Sequence, residues 1–123
     1  MNRLTRLCLL ITSSLIFAFA SIPAAWAHSH PKAMMPPPDS MGPAPSKISI
    51  TFSEAVEPKF SSIKLTDIEG KSVDPEISKL MPGDPTTITL AVPSLPAGTY
   101  VVRWVNVSVD GHHLQGSYKF TVR

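Results

Sequence analysis

Cysteine is almost absent. The one present, Cys8, sits in an N-terminal segment that reads as removable, so no disulfide can staple what remains and no thiolate is left there for metal chemistry. Charge is also sparse and nearly balanced: without Arg3 and Arg6, which share that segment, nine basic residues face nine acidic ones. No basic run follows a phosphate backbone, which removes nucleic acid from the partners to be considered. No stretch carries an apolar stripe of helical period over any length. At 123 residues the chain has room for one small domain and not for a large enzyme.

The first 27 residues have a three-part layout. A basic start (Arg3, Arg6) precedes an apolar run through Leu7, Leu9, Leu10, Ile11, Leu15, Ile16, Phe17 and Phe19, and small residues follow, ending Ala25-Trp26-Ala27. This is the pattern of a secretory signal with the cut after Ala27. The alternative is an anchor that stays in place, but Thr12, Ser13 and Ser14 interrupt the run, which falls short of the about 20 residues a membrane span needs. No cysteine stands where a lipoprotein signal requires one. The expected division is therefore a cleaved signal, 1–27, and a mature domain, 28–123. Cleavage leaves His28 as the first residue, with a free α-amine beside its imidazole.

Proline is plentiful, at 13 residues, and six of these fall between Pro31 and Pro45 in a Pro- and Met-rich arm, 28–46. The arm shows no period of two or 3.6 and is expected to be irregular, partly polyproline-like. Beyond it, Ile48, Ile50 and Phe52 alternate with Lys47, Ser49 and Thr51, the signature of a half-buried strand. Further strands are predicted over Ser62 to Thr66, Thr86 to Val92, Tyr100 to Val107 and Ser117 to Val122. Between them lie breakers such as Glu69-Gly70, Pro82-Gly83-Asp84-Pro85 and Pro93 to Gly98. The pattern predicts an all-β fold, a small antiparallel β-sandwich or barrel, with Tyr100, Val102 and Trp104 packing in its core or wall.

All four histidines gather at two places, His28-Ser29-His30 and Asp110-Gly111-His112-His113. Each alone reads plainly, as a solvated terminus and as an Asp-Gly turn. Together they offer a ligand set for one metal ion. His28 offers its amine and Nδ1 in a single chelate, and Asp110 and His112, two apart in an extended segment, project from one side of the backbone. Three nitrogens and one oxygen suit tetragonal Cu(II), the divalent first-row ion that such donors hold most tightly, while zinc would take them tetrahedrally. His30 competes for the same amine. A free amine with histidine at the third position also wraps Cu(II), so His30 is a ligand, a fallback ligand or an outer partner. His113 faces the other way and reads as a surface residue.

The motifs resemble the CopC family of periplasmic copper-resistance proteins, including its YobA-like members. The resemblance rests on the His28-x-His30 start, Phe52-Ser53-Glu54-x-Val56-Glu57-Pro58-x-Phe60-Ser61, Pro96-x-Gly98-Thr99-Tyr100-x-Val102-x-Trp104, and Ser108-Val109-Asp110-Gly111-His112 followed by Gly116, Tyr118, Phe120 and Val122. It implies an Ig-like β-barrel with Greek-key connections and one Cu(II) per chain, held by His28, Asp110 and His112. It also implies a periplasmic carrier or sequestering protein for copper homeostasis and resistance, delivering to a CopD-type inner-membrane transporter; the chain itself is expected to be a monomer. Some members hold Cu(I) in a Met-rich loop. The corresponding stretch, Asp67 to Lys79, has no methionine, which leaves Met34, Met35, Met41 and Met81 as candidates for weak Cu(I) binding or as loop and packing residues. A histidine-brace copper oxidase or monooxygenase is the alternative function; the small size and the filling of coordination positions by Asp110 and His112 favour binding without catalysis.

Overall fold

The computed structural model describes residues 29–73 and 76–123. The expected signal, 1–27, and His28 lie outside the described residues. Among those described there is no helix, and eight strands follow one another: β1 (Pro31–Met35), β2 (Met41–Gly42), β3 (Lys47–Phe52), β4 (Ser62–Asp67), β5 (Lys79–Met81), β6 (Asp84–Ala91), β7 (Gly98–Val107) and β8 (His113–Val122). They form two four-stranded sheets, ordered β1-β3-β6-β5 and β2-β8-β7-β4. Only β5–β6 and β7–β8 are consecutive neighbours. The chain otherwise crosses from sheet to sheet, as Greek-key architectures do.

The alternation seen in the sequence sets which side chains meet. In β3, Ile48, Ile50 and Phe52 are buried; across from them lie Ile63 and Leu65 of β4, Val102 and Trp104 of β7, and Phe120 and Val122 of β8. These residues join Ile88 and Leu90 of β6 in one core. Each such aliphatic or aromatic side chain contributes about 1.5–3 kcal/mol by leaving water. Phe52 meets Trp104 edge-on across the sheets, ring centroids 5.4 Å apart, and Tyr100 stacks on Phe120 at 5.7 Å. Gly116 lies opposite Trp104 in the β7–β8 ladder, and a Cβ there would stand 2.6 Å from the indole Cζ2. Trp104 can cross the sheet only because that position carries no side chain.

The arm is where the structure departs from expectation. Its residues are ordered into two strands, β1 antiparallel to β3 and β2 parallel to β8, the latter a two-residue exception to an otherwise antiparallel sandwich. Proline permits this because it falls where no ladder donor is needed: Pro31 opens β1, which is an edge strand, and the other prolines of the arm lie between strands. The β2 end is fastened by backbone bonds from Asp39 to Lys119, Thr121 to Ser40 and Arg123 to Gly42, at 2.7–2.9 Å. Strand β8 also begins at His113, four residues earlier than predicted. Leu114 to Gly116 have little apolar alternation of their own and are drawn into the ladder by Asn106, Val105 and Trp104 of β7.

Candidate metal centre

The β7–β8 hairpin closes through Ser108 to His112. The N–H of Ser108 donates to the carbonyl of His112 and that of Gly111 to the carbonyl of Ser108, both at 2.9 Å, with Gly111 at φ +91°. Only a residue tolerant of positive φ makes that turn without strain. The Ser108 hydroxyl, itself buried, donates to the Asp110 carboxylate and accepts the His112 N–H at 3.1 Å. Asp110 and His112 were expected side by side on an extended segment. They are side by side, with Asp110 Oδ2 and His112 Nδ1 3.1 Å apart, but a turn built around Ser108 and Gly111 puts them there.

Glu54 joins them. One ligand atom from each of Glu54, Asp110 and His112 lies within 4.8 Å of the others, the only such group among the described residues. Two donors each about 2.1 Å from one ion stand no more than about 4.2 Å apart, so the three are already close to the separations an ion imposes. Glu54 follows β3 and is carried to the hairpin by backbone bonding: Val109 donates to Ala55 at 3.0 Å, Glu57 donates to Val107 at 2.8 Å, and Val56 bridges Ser108. The reading of candidate ligands from the sequence missed it. Its one signal in the sequence is its place in the Phe52-Ser53-Glu54 motif.

The electrostatics suit a cation. Two carboxylates and an imidazole converge, and Glu54 Oε2 is buried with no hydrogen-bond partner. The Ser108 hydroxyl holds the Asp110 carboxyl below its ordinary range. Desolvation opposes that, and the His112 backbone N–H and imidazole and the Glu54 side chain assist it. Asp110 therefore stays ionised at pH values where an unassisted carboxyl begins to protonate.

The arm arrives beside this cluster. His30 donates its N–H to the Ser53 hydroxyl at 3.0 Å and accepts the Ser53 N–H at 2.9 Å, while Ser29 is buried and accepts from Asn106 at 3.0 Å. His30 itself is exposed and is not one of the three converging ligands. His113 is exposed at the start of β8. The methionines are dispersed: Met34 packs on the core, Met35 and Met41 are exposed on strands of different sheets, and Met81 ends β5 half-buried.

A family model described as the CopC domain matches residues 32–123. Copper resistance protein C of Escherichia coli is 39% identical over 122 residues, covering 93% of this chain and 94% of that protein. The crystal structure of CopC from Methylosinus trichosporium OB3b superposes with a TM-score of 0.72 at 36% identity, covering 77% of this chain and 93% of that one. Copper transport protein CutJ of Bacillus subtilis strain 168 is 31% identical over 80 residues, 64% of this chain but 15% of that protein.

Proposed function

This chain belongs to the CopC family, whose members are copper-resistance and copper-transport proteins, and from that premise we propose that it binds one Cu(II) per chain at the Glu54–Asp110–His112 cluster, completed by the amine and imidazole of His28. The observation that carries the reading is the convergence of those three side chains at the end of the sandwich where the arm begins. Nitrogen and oxygen donors favour Cu(II) over Cu(I), so reduction releases the ion and the site suits a carrier. His30 serves as an outer partner or as a ligand of the arm before it docks.

The N-terminal signal would place the mature protein in the periplasm, with His28 exposed as its first residue. There it would work as a monomer that takes up or sequesters copper and passes it to a CopD-type membrane protein. The match to a small part of the Bacillus subtilis transport protein supports that partnership, since a segment like this one is there part of a much longer transport protein. The donor set supports holding the ion and not oxygen chemistry, because protein ligands fill the positions dioxygen would need.

Titration of the chain beginning at His28 tests the site. Cu(II) should bind one per chain, with large losses for Asp110→Ala and His112→Ala, and a loss of about tenfold or more for Glu54→Gln. His30→Ala should cost little. If His30→Ala abolishes binding while Asp110→Ala leaves it unchanged, the ion is held by an N-terminal wrap and the assignment is wrong. Peroxide formation in the presence of a reductant, at rates above free copper, would count against a carrier.

A further inference from the structure

Asn106 is the one buried carboxamide on β7, fully enclosed in a row that otherwise carries Tyr100, Val102 and Trp104. A strand position facing a core needs no amide, and an amide there costs free energy unless both its ends are satisfied. Only one end is. Nδ2 donates to Ser29 Oγ at 3.0 Å, and Oδ1 is buried with no partner. Ser29 is buried too, so this is a polar pair sealed between the arm and the opposite sheet, across 77 residues of sequence.

We propose that Asn106 is a positioning residue of the copper site, fixing the start of the arm through Ser29 and offering its free carbonyl oxygen to an N–H of His28. The proposal rests on the copper reading above. Ser29 is the residue next to His28, and adjacent Cα atoms are about 3.8 Å apart, so whatever holds Ser29 limits where the amine and imidazole of His28 can reach. When its amine and Nδ1 hold an ion, His28 still carries hydrogens on the amine and on Nε2. A ligating histidine is ordinarily oriented by an acceptor for such a hydrogen. Asn106 Oδ1 is a buried acceptor without a donor, one residue away from that requirement. Ser53, bonded to both backbone groups of His30, holds the next residue of the arm.

The chain beginning at His28 provides the test, with Ser29→Ala and Asn106→Val combined. Removing donor and acceptor together leaves neither partner stranded, so the metal-free protein should melt within a few degrees of the parent. The Cu(II) dissociation constant should rise about tenfold or more, and the electron paramagnetic resonance hyperfine splitting should shift, a signature that a purely structural role would not move. Parent affinity and an unchanged spectrum would overturn the proposal. If the double variant melts early, Cu(II) binding and the spectrum are read below the onset of its transition, where it is folded, and parent values there overturn the proposal equally. A parent protein whose Cu(II) binding ignores Asp110→Ala removes the premise instead, and that is read before the double variant is made.

Discussion

Single side chains set both the chemistry and the packing. Ser108 is the hub of the hairpin: its hydroxyl holds the Asp110 carboxyl below its ordinary value of 3.8. A carboxyl depressed in the folded state favours folding above its unfolded value, and that contribution is lost as pH falls through the lower folded value. Ser108→Ala removes the main cause, so the Asp110 titration in the metal-free protein should move up, and Cu(II) should be released at a higher pH during acidification. Carboxyl-carbon NMR follows the first effect; an unmoved titration would show that another group sets it. Gly116 is the steric counterpart. Gly116→Ala would place a methyl 2.6 Å from the Trp104 indole, and overpacking of this kind costs about 1–3 kcal/mol, readable as an earlier denaturant midpoint.

Between strands, two tyrosines that look alike in sequence behave differently. The Tyr100 hydroxyl donates to the Pro96 carbonyl at 2.7 Å and ties β7 to the connection that precedes it. The Tyr118 hydroxyl, on β8, is buried without a partner, and burial pushes its pKa up to about 12. Tyr100→Phe should therefore cost about 1 kcal/mol, while Tyr118→Phe should be neutral or slightly stabilising, because it removes an unsatisfied group without removing a bond. Chemical denaturation of the two variants side by side would settle the contrast, and equal losses would contradict it. Asp84 does comparable local work where β6 begins. Its carboxylate accepts from the Thr86 N–H and hydroxyl and from the Thr87 hydroxyl, with Thr51 of β3 bonded to Thr87 in turn.

At the level of the whole molecule, the core between the sheets contains none of Glu54, Asp110 and His112, and the candidate site lies at one end of the sandwich on connections. Folding and metal binding are thus separable. The metal-free protein should show β-type circular dichroism and a cooperative transition. Cu(II) at one hundred times its dissociation constant should then add about 2.7 kcal/mol to stability, seen as a higher melting temperature. That rise should vanish in Asp110→Ala and in a chain with one residue added before His28, which locks the amine into a peptide bond. A rise that persists in both would place the ion elsewhere.

Much of this architecture is written locally. Alternation in Ile48, Ile50 and Phe52, and again from Tyr100 to Trp104, identifies inward faces because a strand repeats every two residues whatever its neighbours are. Asp110 and His112 stand out as a pair because the short turn that joins them is itself a local motif. Pairing between distant segments leaves no such mark. An arm rich in proline becomes a strand only because β3 offers it an edge, and β8 lengthens to His113 only because β7 is there to pair with. Glu54 looks like any glutamate beyond a strand, and Asn106 like any strand residue. The backbone bonds from Val109 to Ala55 and from Glu57 to Val107 bring the first to the hairpin, and the closing of one sheet over the other seals the second against Ser29. The sequence determined β3, β4 and β6 to β8 and two members of the converging cluster, Asp110 and His112, whose geometry depends on neighbouring residues. Only the tertiary structure decided the strands of the arm, β5, the third member of the cluster, Glu54, and the anchoring of the arm, whose geometry depends on contacts between residues far apart in the chain.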